Sequence, residues 1–344
     1  MKHPIRTAIT AVVIGAAACP AMAQEPADTR AVWHQQVADG YAALQAETEA
    51  LVSQTLSYCG SPADAQRQAL ERQWRQAFEA WQAVRWVDFG PVEQGNRAWQ
   101  FQFWPDPKNL IGRKASLLLQ TPDADIGKAV AEGGVAVQGF PMAEYLIFDS
   151  RLNQGDQALP APATCRALRA VAAFAADNSA ALVNEWQVFE AAYTANELYL
   201  DSTVRAGMTA LDILAERRLA APMGLRGNDR RSVYLADAWR SEYSLAAVRA
   251  SLEGLRQQFL PGLRQRLLQA DETALADRIA RAFDDALARL DAMPVAMRPL
   301  LDDDEAFGQL QGLYVTISQL QQLVNGQAAT ALGVIRGFNS SDGD

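Results

Sequence analysis

The chain has 344 residues, 49% of them hydrophobic, and carries 40 acidic against 31 basic side chains for a formal charge of −9. That length is ample for two helical cores. The acidic balance argues against nucleic acid or an anionic membrane surface as a partner, because both repel negative charge.

Met1-Lys2-His3-Pro4-Ile5-Arg6 opens with positive charge, Ala8 to Ala18 is small and apolar, and Ala21-Met22-Ala23 fits a small-x-small cleavage site. Residues 1–23 therefore read as a secretory signal peptide. A retained membrane anchor is the alternative, and lipid attachment at Cys19 a weaker one, since Ala16-Ala17-Ala18 lacks the usual leucine. Loss of Lys2 and Arg6 with the leader leaves 29 basic and 40 acidic residues, a net charge near −11. The reading places the mature protein in the periplasm or against the envelope. No later apolar run is long enough to cross a bilayer. Cys59 and Cys165 remain, and an even count in an oxidising compartment predicts a disulfide between them. Two separate buried thiols are the alternative.

Almost every segment has helical periodicity. Val37, Tyr41, Leu44, Leu51 and Leu56 recur at helical spacing, and Gly60 can stop that helix. Ser61-Pro62-Ala63-Asp64 reads as a helix start, with Ser61 as the cap and Pro62 in the first turn. Leu70, Trp74, Phe78, Trp81 and Val84 then form a bulky core stripe. The aromatic stretch 94–109 reads as a rigid loop, because Pro105 and Pro107 push the residues before them out of helix. Helices follow over 110–119, which contains Arg113, and near 125–132. The stretch 137–149 begins with Gly139, has Pro141 in a first turn, and places Phe140, Ala143, Leu146 and Ile147 on one apolar face. Glu144 falls within that face, and a carboxylate there must be paired or hydrogen-bonded.

Residues 150–163 are polar and proline-bearing, which marks a boundary or a long surface loop. A long alanine-rich helix follows over 165–196, with Leu168, Val171, Phe174, Leu182, Trp186 and Phe189 inward. Further helices are predicted over 203–220, 235–268, 272–292 and 305–333, with Pro261 kinking or breaking the second. No alternating strand pattern appears, so the fold class is all-α.

Gly139-Phe140-Pro141-Met142-Ala143-Glu144-Tyr145-Leu146-Ile147-Phe148 resembles the signature of the imelysin family, Gly-x-His-x-x-Glu followed by Tyr-Leu-Leu-Phe. Pro141 stands where the pattern has histidine. The segments 101–109 and 238–245 resemble two further stretches of that family. The resemblance implies two helical-bundle halves with a cleft between them, here 24–158 and 159–338; the polar end, 339–344, reads as a disordered tail on its own composition. The resemblance further implies a binding component of envelope iron uptake, with iron or a chelated metal as cargo and other envelope iron-uptake proteins as partners. A metallopeptidase, as in the family's older classification, and a non-catalytic interaction scaffold are the alternatives.

The chemistry-bearing residues narrow these readings. The mature chain has a single histidine, His34, so it contains neither a His-Glu-x-x-His zinc site nor a two-histidine iron site. His34 reads as a packing or capping residue, with a single-ligand role as the alternative. The candidate cleft residues are Arg85, Trp104, Asp106, Arg113, Gly139, Glu144, Tyr145, Arg240 and Glu242, with Glu144 as the candidate metal ligand. Arginines beside aromatics either pair with carboxylates across the cleft or hold an anion in their fork of donors. For Glu144 the expected partner is Arg85, Arg113 or Arg240, or else a bound cation.

Overall fold

The computed structural model describes residues 28–227 and 230–335. Residues 1–23, where a signal peptide is expected, with Cys19 among them, and the expected tail 339–344 lie outside the described residues. Helix α1 (Thr29–Gly60) leads into α2 (Asp64–Val84). Short helices α3 (Arg97–Phe101), α4 (Leu110–Leu118) and α5 (Ile126–Glu132) precede α6 (Gly139–Phe148). The long α7 (Pro162–Ala195) and α8 (Leu198–Asp212) follow, then α9 (Ser244–Gly254), α10 (Leu260–Gln269), α11 (Thr273–Asp291), α12 (Arg298–Asp302), α13 (Asp304–Gln321) and α14 (Ala329–Ala331). The described residues contain no strand, so the all-α reading holds.

Four local expectations need correction. Ser61 does not cap α2. Its N–H donates to the Ser57 carbonyl and closes α1, and α2 starts two residues after Pro62 with no side-chain cap. Pro62 holds the residue before it in an extended conformation, which separates the two helices. The aromatic stretch 94–109 is not one irregular loop, because α3 occupies Arg97–Phe101 between the irregular pieces 94–96 and 102–109. Pro105 and Pro107 restrict only the residues just before them, so Trp99 and Phe101 remain free to coil.

The helix expected over 235–268 starts only at Ser244. Residues 236–243 form an irregular segment with left-handed backbone at Ala238 (φ 49°) and Glu242 (φ 54°). Pro261 does not break the helix: α9 runs through Leu255–Phe259 into α10, with Pro261 in the first turn of α10. A wide π-type turn over Leu255–Phe259 absorbs the mismatch that a ring lacking an N–H creates. Similar wide turns, Ile213–Ala220 and Gln322–Ala328, extend α8 and α13.

The packing follows the apolar stripes. Helix α1 lies between α7 and α2, α6 packs on α7 and α2, and α11 packs on α10 and α13. The expected division at residues 158 and 159 falls in the connection before α7, and α7 itself runs along α1. The stripe Leu70, Trp74, Phe78, Trp81 and Val84 is buried, and the buried apolar residues form one continuous cluster. Helix α9 closes onto α2 at Gly254, where a Cβ would overlap the Ala83 carbonyl oxygen. Only glycine permits that approach.

Cys59, near the end of α1, is bonded to Cys165 in the first turn of α7, with Cα atoms 5.7 Å apart and 106 positions between them in sequence. The predicted disulfide is therefore present. A loop of that length is worth roughly 4–5 kcal/mol in the chain-entropy model, with measured losses of about 2–5 kcal/mol on removal. Cys59→Ser with Cys165→Ser should lower the unfolding free energy by about 2–5 kcal/mol in denaturant melts. Mass spectrometry of the unreduced protein should find no free thiol at either position; recovery of two would contradict the assignment.

Candidate functional site

Helix α6 begins against the end of α3. Gly139 has φ +65°, and a Cβ there would overlap the carbonyl oxygens of both Gln100 and Phe101. The motif glycine thus sets how closely α6 can approach α3. Gln138, just before it, donates its side-chain amide to the Val130 carbonyl at 2.8 Å. Phe140, Ala143, Leu146 and Ile147 are all buried, as their spacing predicts. Trp74 of α2 donates its indole N–H to the Phe140 carbonyl at 3.2 Å.

Glu144 is 4% exposed within this apolar setting. Its direct partner is none of the expected arginines. The backbone N–H and the hydroxyl of Ser241 both donate to Glu144 Oε1, each at 2.8 Å. Ser241 can do this because residues 236–243 are not helical, which leaves its N–H free. Burial pushes the Glu144 carboxyl above its ordinary range, opposed by the two Ser241 hydrogen bonds and the nearby Arg240 charge.

The arginines are engaged elsewhere. Arg240 donates from Nε to Asp149 Oδ2 at 3.0 Å and from a terminal nitrogen to Asn109 Oδ1 at 3.2 Å. Its guanidinium lies 4.3 Å from the Trp239 ring centroid and 5.2 Å from that of Tyr145, so Tyr145 serves as a cation–π face. Arg85 donates to Gln102 Oε1 at 2.8 Å and Gln82 Oε1 at 3.2 Å. Arg113 is exposed on α4.

Asp106 caps α4, accepting from the backbone of Leu110 at 2.7 Å and Ile111 at 3.0 Å. Glu242 turns outward, with Arg298 Nε 3.7 Å away. The structure thus brings Trp104, Asp106, Glu144 and Arg240 to one cavity, with Pro141 and Asp237 in its wall. Tyr145, Arg85, Arg113 and Glu242 do not line it. The space left open there is about 20 Å³, room for about one water. The Trp104 indole N–H is buried without a protein partner.

These residues do not fit a bare iron ion. Glu144 Oε1 already accepts two hydrogen bonds, both Asp106 oxygens cap a helix, and Asp237 is held by Arg218 at 2.6 Å. Arg240 places a positive charge beside them. Among the described residues no three His, Cys, Asp or Glu side chains are grouped to hold a metal. Pro141, at the pattern's histidine position, offers no ligand atom.

On the outer side of Arg240 lies an open depression of about 500 Å³. Arg151, Arg240 and Arg298 line it together with Phe148, Tyr234 and Trp239, and Asp149 and Glu242 lie among them. The sequence reading missed Ser241, Asp149, Arg298 and Asp237. Asp149 ends the motif stretch, and Asp237 and Ser241 flank Trp239-Arg240, so their position beside the quoted segments was the available signal. Nothing in sequence marks Arg298, which arrives from α12.

The model of the imelysin family (peptidase M75) matches residues 37–324, and the chain belongs to that family. Its fold is similar to the crystal structure of an imelysin-like protein from Psychrobacter arcticum 273-4, at 21% identity and a TM-score of 0.77, covering 92% of this chain and 99% of that one. It is also similar to a structure from Parabacteroides distasonis ATCC 8503 described as an iron-regulated protein A precursor, at 13% identity and a TM-score of 0.65, covering 89% of this chain and 97% of that one. No curated protein matches the sequence.

The raised pKa of Glu144 fixes a sign for stability. The folded chain favours the protonated form, so this contribution is full below the ordinary value of 4.5 and is lost as pH rises through the folded value. Glu144→Gln cannot ionise. Its melting temperature should therefore gain on the wild type as pH rises above about 4.5. A gap that does not change with pH would show that Glu144 does not titrate in this way. Ser241→Ala removes the hydroxyl but keeps the backbone donor, and should cost roughly 1–3 kcal/mol in denaturant melts at neutral pH.

Proposed function

We propose that this imelysin is a non-catalytic binding component of envelope iron acquisition, and that its cargo is an anionic iron chelate rather than a bare ion. The observation that carries this reading is the depression beside α6. Arg151, Arg240 and Arg298 exceed Asp149 and Glu242 in charge, and the faces of Phe148, Tyr234 and Trp239 lie among them. Forked cationic donors with flat apolar surfaces suit a chelate whose carboxylate or catecholate groups carry negative charge. Arg240 is pre-organised by Asp149 and Asn109, so little side-chain entropy is lost when it meets a ligand.

The name of the Parabacteroides distasonis relative supports iron as the theme. The leader-like residues 1–23 support an envelope location. The metallopeptidase reading finds no comparable support. His34 is buried, donates a ring N–H to the Trp186 carbonyl at 3.0 Å and stacks on the Trp186 ring.

Protein purified from its native envelope should carry a mass-identifiable organic ligand together with iron. Titration of the purified protein with a ferric hydroxycarboxylate complex should quench tryptophan fluorescence through Trp239. Arg298 is 35% exposed at its side chain, so Arg298→Glu should leave the fold intact and weaken binding at least about tenfold, a change of ~1.4 kcal/mol. Equal affinity for wild type and variant, or no binding by either, would defeat the reading.

A further inference from the structure

A second cavity lies on the other side of Asp237 from Glu144. It is about 50 Å³ and sits between α2, α9 and the wide turn Ile213–Ala220. Its polar wall is Gln82, Arg85, Asp88, Thr209, Arg218 and Ser251, and the rest is apolar. The volume is enough for a few waters or one small ion.

Arg218 is the centre of it. The residue is 2% exposed, and the wide turn that carries it is the kind of helical irregularity that recurs at functional sites. One terminal nitrogen donates to Asp237 Oδ2 at 2.6 Å, the other to Ser251 Oγ at 2.6 Å. Its Nε–H is buried without a partner. Ser251 passes its own hydrogen to Gln82 Oε1 at 3.2 Å, so its oxygen is free to accept.

Arg85 faces the same cavity. It has no carboxylate of its own, since Asp237 Oδ2 is 3.8 Å away and already bonded to Arg218. Gln102 also donates to that oxygen, at 3.3 Å. Two guanidiniums therefore share one carboxylate. Asp88 lies at the exposed rim, and among the described residues neither arginine is ion-paired with it. The charge felt by its carboxyl comes from Glu93 and Arg205. The interior holds an excess of one positive charge and an unused donor. Arg85's side chain is only 19% exposed, and a charge left over at so largely buried a site favours a bound counter-ion or a shifted proton. In keeping with this, burial first and Arg218 second hold Arg85 below the usual arginine range, at about 9.

We infer that this cavity binds a small inorganic anion of halide or nitrate size, held by Arg218 Nε and the Arg85 guanidinium. The site is separate from the proposed chelate surface and does not depend on it. An anion here neutralises the charge behind the segment 236–243, and so supports the turn from which Ser241 reaches Glu144.

The test uses the intact mature protein. Crystals grown without halide and soaked in sodium bromide should show an anomalous bromine peak in the cavity, within hydrogen-bond distance of Arg218 Nε. In solution, bromide and nitrate should each raise the melting temperature by a few degrees and saturate, relative to sodium gluconate at equal ionic strength, because gluconate is too large to enter. Arg85→Gln should abolish that difference. Water alone in the cavity overturns the inference. So does a bromide peak with no saturable effect in solution, which means binding at crystal concentration only. Should Arg85→Gln fail to fold, the wild-type crystal and the paired wild-type melts still decide the matter.

Discussion

Glu144 can stay in the interior only because the backbone N–H and the hydroxyl of Ser241 reach one of its oxygens. Everything around the motif follows from that contact. The donor must come from a segment that is not helical, because a helical Ser241 would spend its N–H on its own turn. Residues 236–243 provide it by accepting two left-handed residues, Ala238 and Glu242, neither of them glycine. Such conformations cost of order 1–3 kcal/mol each and persist where the surroundings over-determine them. Here the Ser244 hydroxyl holds the Asp237 carbonyl at 2.6 Å, and the Tyr243 N–H closes on the Ala238 carbonyl at 2.9 Å.

The same segment organises the arginines. Its Asp237 points one way, to Arg218 and Arg85, and its Arg240 points the other, to Asp149 and Asn109. A carboxylate between two guanidiniums and a guanidinium between two acceptors thus sit three residues apart. The polar interior and the open depression are thus both built on this one turn. Replacement of a buried ion pair by apolar residues is often neutral or stabilising, so the pairs at Asp237 and Asp149 are better understood as devices that fix the turn than as sources of stability.

Family membership and local chemistry diverge at Pro141. The signature that 139–148 resembles has histidine at this position. Proline preserves the first turn of α6, where its missing N–H has no partner to lose. It also brings carbon to the wall of a cavity that has room for little more than one water. Most of the carboxylate oxygens that line the cavity are committed to hydrogen bonds within the protein. That is why the functional reading moves outward, to the arginines and aromatics that face solvent.

Periodicity and punctuation alone determined the all-α class, the core stripe from Leu70 to Val84, the buried face of α6 and the Cys59–Cys165 pair. Each depends on local spacing or, for the cysteines, on a small even count in the oxidising compartment that the first residues lead one to expect. The sequence also pointed to Glu144 as a buried acid in need of a partner. It could not name that partner, because 97 positions separate Glu144 from Ser241, and a serine in an apparently helical run carries no signal that its N–H is free. The irregular turn at 236–243 is invisible for the same reason: alanine and glutamate at positive φ follow from long-range hydrogen bonds, not from local preference. Only the packed structure decided which arginines meet which carboxylates, because those pairs join segments far apart in sequence.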